Sequence, residues 1–222
     1  MHKYSTCVTP SPTIDHPGQM LIRLNRISCY QQTQSHRTRP IAMSISPVAN
    51  HPLTRCLRSN PAMTETTLYS DLPPTIRHSK DRYTLLDPDK IASLPLIFWD
   101  PSSKSSTMIF HLGPSLSGYP GLVHGGVLAT LLDEGFATAL LKADPTKVPL
   151  TVDLNIRYRK AAPTGEVYAL RANLHDADED GAKVDGWIEL LGTDADLAGD
   201  FNGERVVVSA EASFKWVRPV GI

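Results

Sequence analysis

The chain has 222 residues, of which 41% are hydrophobic and 20% are charged, a content that supports a packed core. Its net charge of −1 gives no basic footprint for binding nucleic acid, and no apolar run approaches the roughly 18 to 20 residues that a membrane-spanning helix needs. Three cysteines are too few for a disulfide scaffold in a chain of this length. The sequence therefore predicts a soluble globular protein.

Residues 1–61 differ in composition from the rest of the chain. They contain seven basic residues and one acidic residue, a net charge of +6, whereas residues 62–222 contain 15 basic and 22 acidic residues, a net charge of −7. A basic, Ser/Thr/Pro-rich and acid-poor extension is typical of a mitochondrial transit peptide. The same composition also fits an untargeted disordered tail, or an extension upstream of a start at Met43 or Met63. We therefore expect a mitochondrial or a cytoplasmic protein.

The chain becomes patterned after this extension. Residues 62–94 are predicted to be an N-terminal preamble with one helix near residues 78–93, and residues 95–222 to be the main domain. Two strands, Pro95–Asp100 and Ser106–Leu112, are joined by a hairpin-like loop. A loop rich in glycine, proline and serine follows. The one convincing helix is predicted over Gly125–Lys142.

The rest of the chain alternates strands and turns. Further strands are predicted over residues 150–159, 167–174, 183–191 and 205–217. The last of these has the cleanest alternation, which predicts one buried face. One helix followed by strands with hairpin-like turns predicts an α+β fold, an antiparallel sheet wrapped around one long central helix.

The start and the middle of the helix carry the residues with chemical potential. His124, Gly125 and Gly126 open it, so the first backbone N–H groups have no bulky side chains around them. Free amides at a helix N-terminus, together with the helix dipole, stabilise a developing oxyanion. An apolar stripe faces the core, and Asp133 and Glu134 lie on its opposite flanks.

These residues form a familiar signature. The segment Gly121-Leu-Val-His-Gly-Gly-Val-Leu-Ala-Thr-Leu-Leu-Asp133 resembles that of hotdog-fold acyl-CoA thioesterases, in the superfamily named for 4-hydroxybenzoyl-CoA thioesterase. Within it, the segment is similar to the His-Gly-Gly type that includes phenylacetate-pathway enzymes. The spacing from His124 to Asp133 and the strand Leu150–Tyr158, with Pro163 after it, also match. The resemblance covers about residues 95–218.

The resemblance implies hydrolysis of a fatty or aromatic acyl-CoA to free acid and CoA, with no metal or redox cofactor. Asp133 would be the general base on water, or the nucleophile. The amide of Gly125, helped by Gly126, would polarise the thioester carbonyl. His124 would hydrogen-bond near that carbonyl, and Thr151 would assist the acid. Many relatives carry Asn six residues before the histidine, where this chain has Gly118.

Helix geometry predicts how this site is assembled. Gly126 and Asp133 are seven residues apart on one face, so they are separated by about 10.5 Å along the axis. One Asp side chain does not comfortably cover that distance to a carbonyl held at the amides. Two helices packed antiparallel about a two-fold axis would bring the amides of one chain to the Asp of the other. We therefore expect a homodimer with shared active sites, or a dimer of dimers.

Some alternatives stay open at this point. Arg157, Arg159 and Lys160 form either a solvated strand end or a site for the phosphates of CoA. Glu134 is interpreted as a solvated or dimer-edge carboxylate. The substrate could instead be a chain bound to a carrier protein, which a releasing or editing thioesterase would cleave. A catalytically weak acyl-CoA-binding module is the alternative outside the enzymes, and Gly118 is its sequence support.

Overall fold

A computed structural model gives the fold of the chain. The residues that it describes are 7–14, 20–27, 47–67, 85–192 and 203–217. The chain divides into two compact units, Met1–Ala42 and Met43–Ile222. In the first unit, strands β1 (Cys7–Ile14) and β2 (Met20–Ile27) pair antiparallel.

The second unit is built on one antiparallel sheet. It has seven strands in the order β3-β4-β5-β9-β10-β11-β8. Two shorter strands, β6 and β7, pair with each other beside it. The strands are β3 Thr64–Thr67, β4 Leu96–Asp100, β5 Ser105–Leu112, β6 Ser117–Tyr119, β7 Leu122–Val123, β8 Val148–Tyr158, β9 Glu166–His175, β10 Gly181–Leu190 and β11 Val206–Val217. A 3₁₀ turn, Pro114–Leu116, precedes β6.

Helix α2 (Gly125–Ala143) packs on one face of this sheet. Its buried stripe includes Leu132, Phe136 and Leu140, none of which is exposed to solvent. Gly135 lets the helix approach β9, because a Cβ at this position would lie 2.6 Å from Leu170 Cδ1. The predicted α+β fold, an antiparallel sheet packed on one helix, is confirmed. The helix has 19 residues, an ordinary length rather than a long one.

A short helix, α1 (Pro52–Ser59), belongs to the second unit. Leu57 is buried in a cluster with Phe98 and Ile109, whose side chains alternate with those that face α2. His51 caps α1 by accepting a hydrogen bond from Leu53 N at 3.2 Å, and its Nε2 lies 3.1 Å from the Gly192 carbonyl oxygen. Residues 47–61 therefore pack with the main sheet, whereas their composition had placed them in the extension.

The two strands before α2 and the four after it agree with the structure to within about two residues at each end. Of the helix expected near residues 78–93, residues 78–84 lie outside the described part, and residues 85–93 form turns and an isolated bridge between Leu86 and Ile91. Among the described residues, no helix is both long and apolar enough to span a membrane.

The turn between β4 and β5 generates a prediction about acid stability. Asp100 accepts hydrogen bonds from the Ser102 hydroxyl at 2.6 Å, the Ser102 amide at 2.9 Å and the Ser103 hydroxyl at 2.9 Å. These bonds, the Ser102 hydroxyl first, lower the pKa of Asp100 from 3.8 to about 2. A lowered folded-state pKa means that the carboxylate stabilises the fold above pH 3.8 and that this contribution is lost as the pH falls towards 2.

We therefore expect Asp100→Ala to unfold at lower denaturant concentration than the wild type at pH 7. This difference should disappear as the pH is lowered from about 4 to about 2. Equilibrium unfolding in urea over that range measures it, with Glu179→Ala, an exposed carboxylate in another turn, as the control. A difference between Asp100→Ala and wild type that persists unchanged at pH 2 would contradict this account of the turn.

Candidate active site

The loop that enters α2 is fixed by backbone hydrogen bonds to two neighbouring segments. Val123 N donates to the carbonyl oxygen of Ala162 at 2.8 Å, and His124 N donates to that of Leu116 at 2.8 Å. Leu122 forms an isolated bridge with Pro163. The first residue of the helix is therefore placed by the chain before β6 and by the chain after β8.

His124 is the N-cap of α2. It has an extended backbone, with φ −62° and ψ 131°, and its Nδ1 accepts a hydrogen bond from Gly126 N at 2.9 Å. A backbone amide can only donate, so Nδ1 carries no proton and a neutral ring carries its proton on Nε2. The cap also uses the amide of Gly126. That this amide helps to hold the thioester carbonyl stays a prediction, and in this geometry its proton points to the imidazole.

Gly118 lies against the His124 side chain. A Cβ at position 118 would be 2.9 Å from His124 Cδ2 and 3.0 Å from His124 Cα, which is closer than real side chains approach. A side chain at this position would require the histidine to move, so the glycine leaves room for the capping imidazole.

Gly125 occupies the first position of the helix. Within the described part of the chain its N–H has no hydrogen-bond partner, as expected for an amide in the first turn of a helix. Its carbonyl oxygen accepts a hydrogen bond from the Tyr158 hydroxyl at 2.8 Å. Of the two predicted oxyanion amides, that of Gly125 is therefore the one available to a ligand.

Asp133 and Thr151 are brought together as a hydrogen-bonded pair. Thr151 Oγ1 donates to Asp133 Oδ1 at 2.7 Å, and both residues are partly buried. Strict alternation along the strand would place Thr151 on the face away from α2, together with Asp153. The pairing of β8 with β11 shifts register between Ser213 and Phe214, so that Ser213 faces Asp153 and Phe214 faces Thr151. This bulge turns the Thr151 hydroxyl towards the helix.

The predicted phosphate-binding cluster lies apart from this pair. Arg157 and Arg159 line a small cavity of about 140 Å³ on the face that carries Ser209 and Glu211, and no residue of α2 lines it. Arg159 Nε donates to Ser209 Oγ at 3.1 Å. Lys160 Nζ donates to the carbonyl oxygen of Glu204. The three cations are thus near one another but are not brought to Asp133 within one chain.

Tyr158 was missed as a functional residue by the sequence analysis. It entered only as the last residue of the strand Leu150–Tyr158, with no signal that its hydroxyl would reach the helix N-terminus. A tyrosine at a strand end, followed by a turn back towards the start of a helix, is the pattern that could have suggested the contact. Among the described residues, no group of three His, Cys, Asp or Glu side chains is placed to hold a metal ion.

Comparison with known proteins identifies the region that contains this geometry. Residues 120–185 match the thioesterase superfamily. The matched residues include the capping His124, the Gly125 amide and the Asp133–Thr151 pair.

Similar proteins cover only part of this chain. An uncharacterized mitochondrial protein of Candida albicans is 31% identical over 107 residues, which are 48% of this chain and 48% of its own. Acyl-coenzyme A thioesterase THEM5 of Mus musculus is 41% identical over 76 residues, 34% of this chain and 29% of its own. A crystal structure of a thioesterase superfamily protein is 27% identical, with a TM-score of 0.43, over 55% of this chain and 53% of that one. The chain thus spans about half of the first relative's length and less than a third of the second's.

The capping contact predicts the tautomer of His124. If Nδ1 accepts the Gly126 N–H, the neutral ring is protonated on Nε2. In ¹⁵N-labelled protein above pH 8, long-range ¹H–¹⁵N spectra should show an unprotonated Nδ1 and a protonated Nε2 for this residue. Gly118→Ala should disturb this tautomer, because the new Cβ would push on the ring. A ring protonated on Nδ1 in the wild type would contradict the cap.

Proposed function

We propose that the protein hydrolyses an acyl-CoA thioester to a free acid and CoA, in a hotdog arrangement in which the sheet wraps around α2. The observation that carries the proposal is the hydrogen bond between Thr151 on β8 and Asp133 on α2. The first amide of the same helix, that of Gly125, has no hydrogen-bond partner among the described residues. The match of residues 120–185 to the thioesterase superfamily supports the reaction class. The His-Gly-Gly sequence at 124–126 supports the phenylacetate-pathway type within it.

Asp133 acts on water in this mechanism. The carboxylate accepts a proton from a water molecule as the water oxygen bonds to the thioester carbon, and the carbonyl oxygen becomes an oxyanion. When the intermediate collapses, the C–S bond breaks and the CoA sulfur leaves with the electron pair. The proton held by Asp133 passes to that sulfur, so the carboxylate is restored. The Thr151 hydroxyl holds the carboxylate in one orientation throughout.

The Gly125 amide stabilises the oxyanion. It lies at the positive end of the helix dipole, and no acidic residue occupies the first turn of α2. The imidazole of His124, with its proton on Nε2, provides a second donor on the same loop. Neither donor has to reorganise during the reaction, because the N-cap geometry is already formed in the free protein.

The complete site is proposed to form between two copies of the chain. Gly125 and Asp133 are eight residues apart, about 12 Å along the helix, while one substrate carbonyl has to contact both groups. Strand β8 is the last strand of the sheet and exposes apolar side chains, Leu150 and Val152 by 54% and 52%. A free apolar edge strand favours pairing with a second copy. That pairing would bring the helices of two chains together.

The proposal also covers the binding of the CoA phosphates and the compartment of the protein. Arg157, Arg159 and Lys160 are proposed to hold CoA phosphates from the rim of the assembled dimer, because guanidinium and ammonium groups bind phosphate well. Mitochondrial localisation is supported by the basic composition of residues 1–61 and by the mitochondrial protein of Candida albicans noted above.

The first test of the proposal is removal of the base. Asp133→Asn should reduce kcat on a responsive acyl-CoA by about 10² to 10⁴, because a general base contributes this much. Glu134→Gln, which removes the neighbouring charge on the same helix, is the matched control and should retain activity. Release of free thiol from short, medium, long and aromatic acyl-CoAs measures both variants. Equal loss in the two variants, or none in Asp133→Asn, would rule out this assignment of the base.

The shared site has its own test. Gly125→Pro removes the N–H, and proline is well accepted at the first helical position after the extended backbone of His124. Both proline and alanine place a Cβ at 3.3 Å from the Tyr158 ring, so the contact of the Cβ is common to the two variants. Gly125→Ala keeps the N–H and is its control. When Gly125→Pro and Asp133→Asn chains are mixed and reassociated, half of the dimers are mixed, and each holds one intact site. Activity should recover to about one quarter of wild type. No recovery, with mixed dimers demonstrated, would place both groups in one chain.

A further inference from the structure

The hydroxyl of Tyr158 and the imidazole of His124 hold the same peptide group. The Gly125 carbonyl oxygen accepts from Tyr158 at 2.8 Å, and the N–H of the same peptide unit, that of Gly126, donates to His124 Nδ1 at 2.9 Å. The ring of Tyr158 also lies close, since a Cβ on Gly125 would be 3.3 Å from its Cε1, Cζ and hydroxyl oxygen. The peptide between the two glycines is therefore fixed at both its polar ends from outside the helix.

The neighbouring peptide unit, which contains the Gly125 N–H, is held by the helix at its carbonyl end, and among the described residues its N–H has no partner. Its carbonyl oxygen, that of His124, accepts from Val127 N at 2.9 Å and from Leu128 N at 3.3 Å. The two peptide planes meet at the Cα of Gly125. A glycine has no Cβ to restrict its dihedral angles, so their relative orientation has to be set by the hydrogen bonds on either side.

We propose that Tyr158 is a positioning residue for the oxyanion donor, acting through the Gly125 carbonyl. The proposal rests on the thioesterase function proposed above and deepens it. With the second peptide held by Tyr158, Gly125 has one backbone conformation, and its N–H points to one place. Without the hydroxyl, the first turn can open at the two adjacent glycines, and the N–H is spread over several directions. A preorganised donor stabilises an oxyanion better than one that has to be ordered during the reaction.

A purely structural role for Tyr158 is the alternative, in which its ring packs the end of β8 against the start of α2. The two roles use different parts of the side chain. Tyr158→Phe keeps the ring and its contact with Gly125 but removes the hydrogen bond. Tyr119→Phe, which removes the hydroxyl of a tyrosine that is 76% exposed on β6, is the matched control.

The expected kinetic result is a loss in kcat of about tenfold for Tyr158→Phe, with KM within about twofold of wild type, because the hydroxyl acts on the transition state and not on binding. The loss should depend on the Gly125 N–H. In the Gly125→Pro background, whose residual activity should be about 10²- to 10³-fold below wild type, Tyr158→Phe should cause no further decrease. In the Gly125→Ala background the tenfold loss should remain.

Equal losses in the proline and alanine backgrounds would overturn the proposal, since the effect of the hydroxyl would then not pass through the amide. So would an unchanged kcat in Tyr158→Phe.

Hydrogen exchange and the ¹H–¹⁵N resonance of Gly125 provide a second readout that needs no activity. In Tyr158→Phe we expect the Gly125 resonance to shift and broaden and its amide to exchange faster, with little change in Tyr119→Phe. An unchanged Gly125 amide would overturn the positioning role even if no acyl-CoA is hydrolysed. A wild-type protein that hydrolyses none of the panel, but whose Gly125 amide responds to Tyr158→Phe, would reject the proposed function and leave the orientation of the amide by Tyr158 established.

Discussion

The packing of α2 against the sheet determines where the candidate base, Asp133, lies. Leu132 and Phe136 are completely buried, and burying each such side chain contributes about 1.5 to 3 kcal/mol. Gly135 allows the helix to sit directly on Leu170. Asp133 lies between these anchors, so neither its height above the sheet nor its rotation around the helix can change without opening the core. The carboxylate is therefore held first by its apolar neighbours and then by the hydroxyl of Thr151.

The N-terminus of the same helix is fixed by a different kind of interaction. Two adjacent glycines bury almost no apolar surface, so packing alone cannot order them. Two side chains of the same polypeptide order them instead by hydrogen bonds, the ring of His124 and the hydroxyl of Tyr158. The structure thus combines a rigid, apolar middle of the helix with a polar first turn that is ordered by its surroundings. The apolar middle carries Asp133, the proposed base, and the polar first turn carries the Gly125 amide, the proposed oxyanion donor.

Most of the strands and α2 could be predicted from the sequence, because their apolar residues repeat at the periods of strand and helix. The positions of individual side chains and amides in the candidate site could not be predicted from the sequence. A bulge at Val152 turns Thr151 to the face of the sheet on which Asp133 lies. The alternation of apolar and polar residues in the sequence does not reveal such a bulge. The capping bond that occupies Gly126 depends on a side-chain rotamer. The residues of α1 were placed in the extension by their composition, because a contact between residues far apart in sequence, such as that of His51 with Gly192, leaves no local pattern.

The distribution of charges along α2 lacks one stabilising interaction that helices commonly have. An acidic side chain in the first turn of a helix stabilises it by about 0.3 to 1 kcal/mol, yet α2 has none there. A carboxylate at that place would repel an oxyanion at the Gly125 amide. The helix is stabilised by its cap and its buried stripe instead, and its basic residue, Lys142, lies in the last turn, where it matches the negative end of the dipole. The positive end carries no side-chain charge, and the first carboxylate along the helix is Asp133, the proposed base.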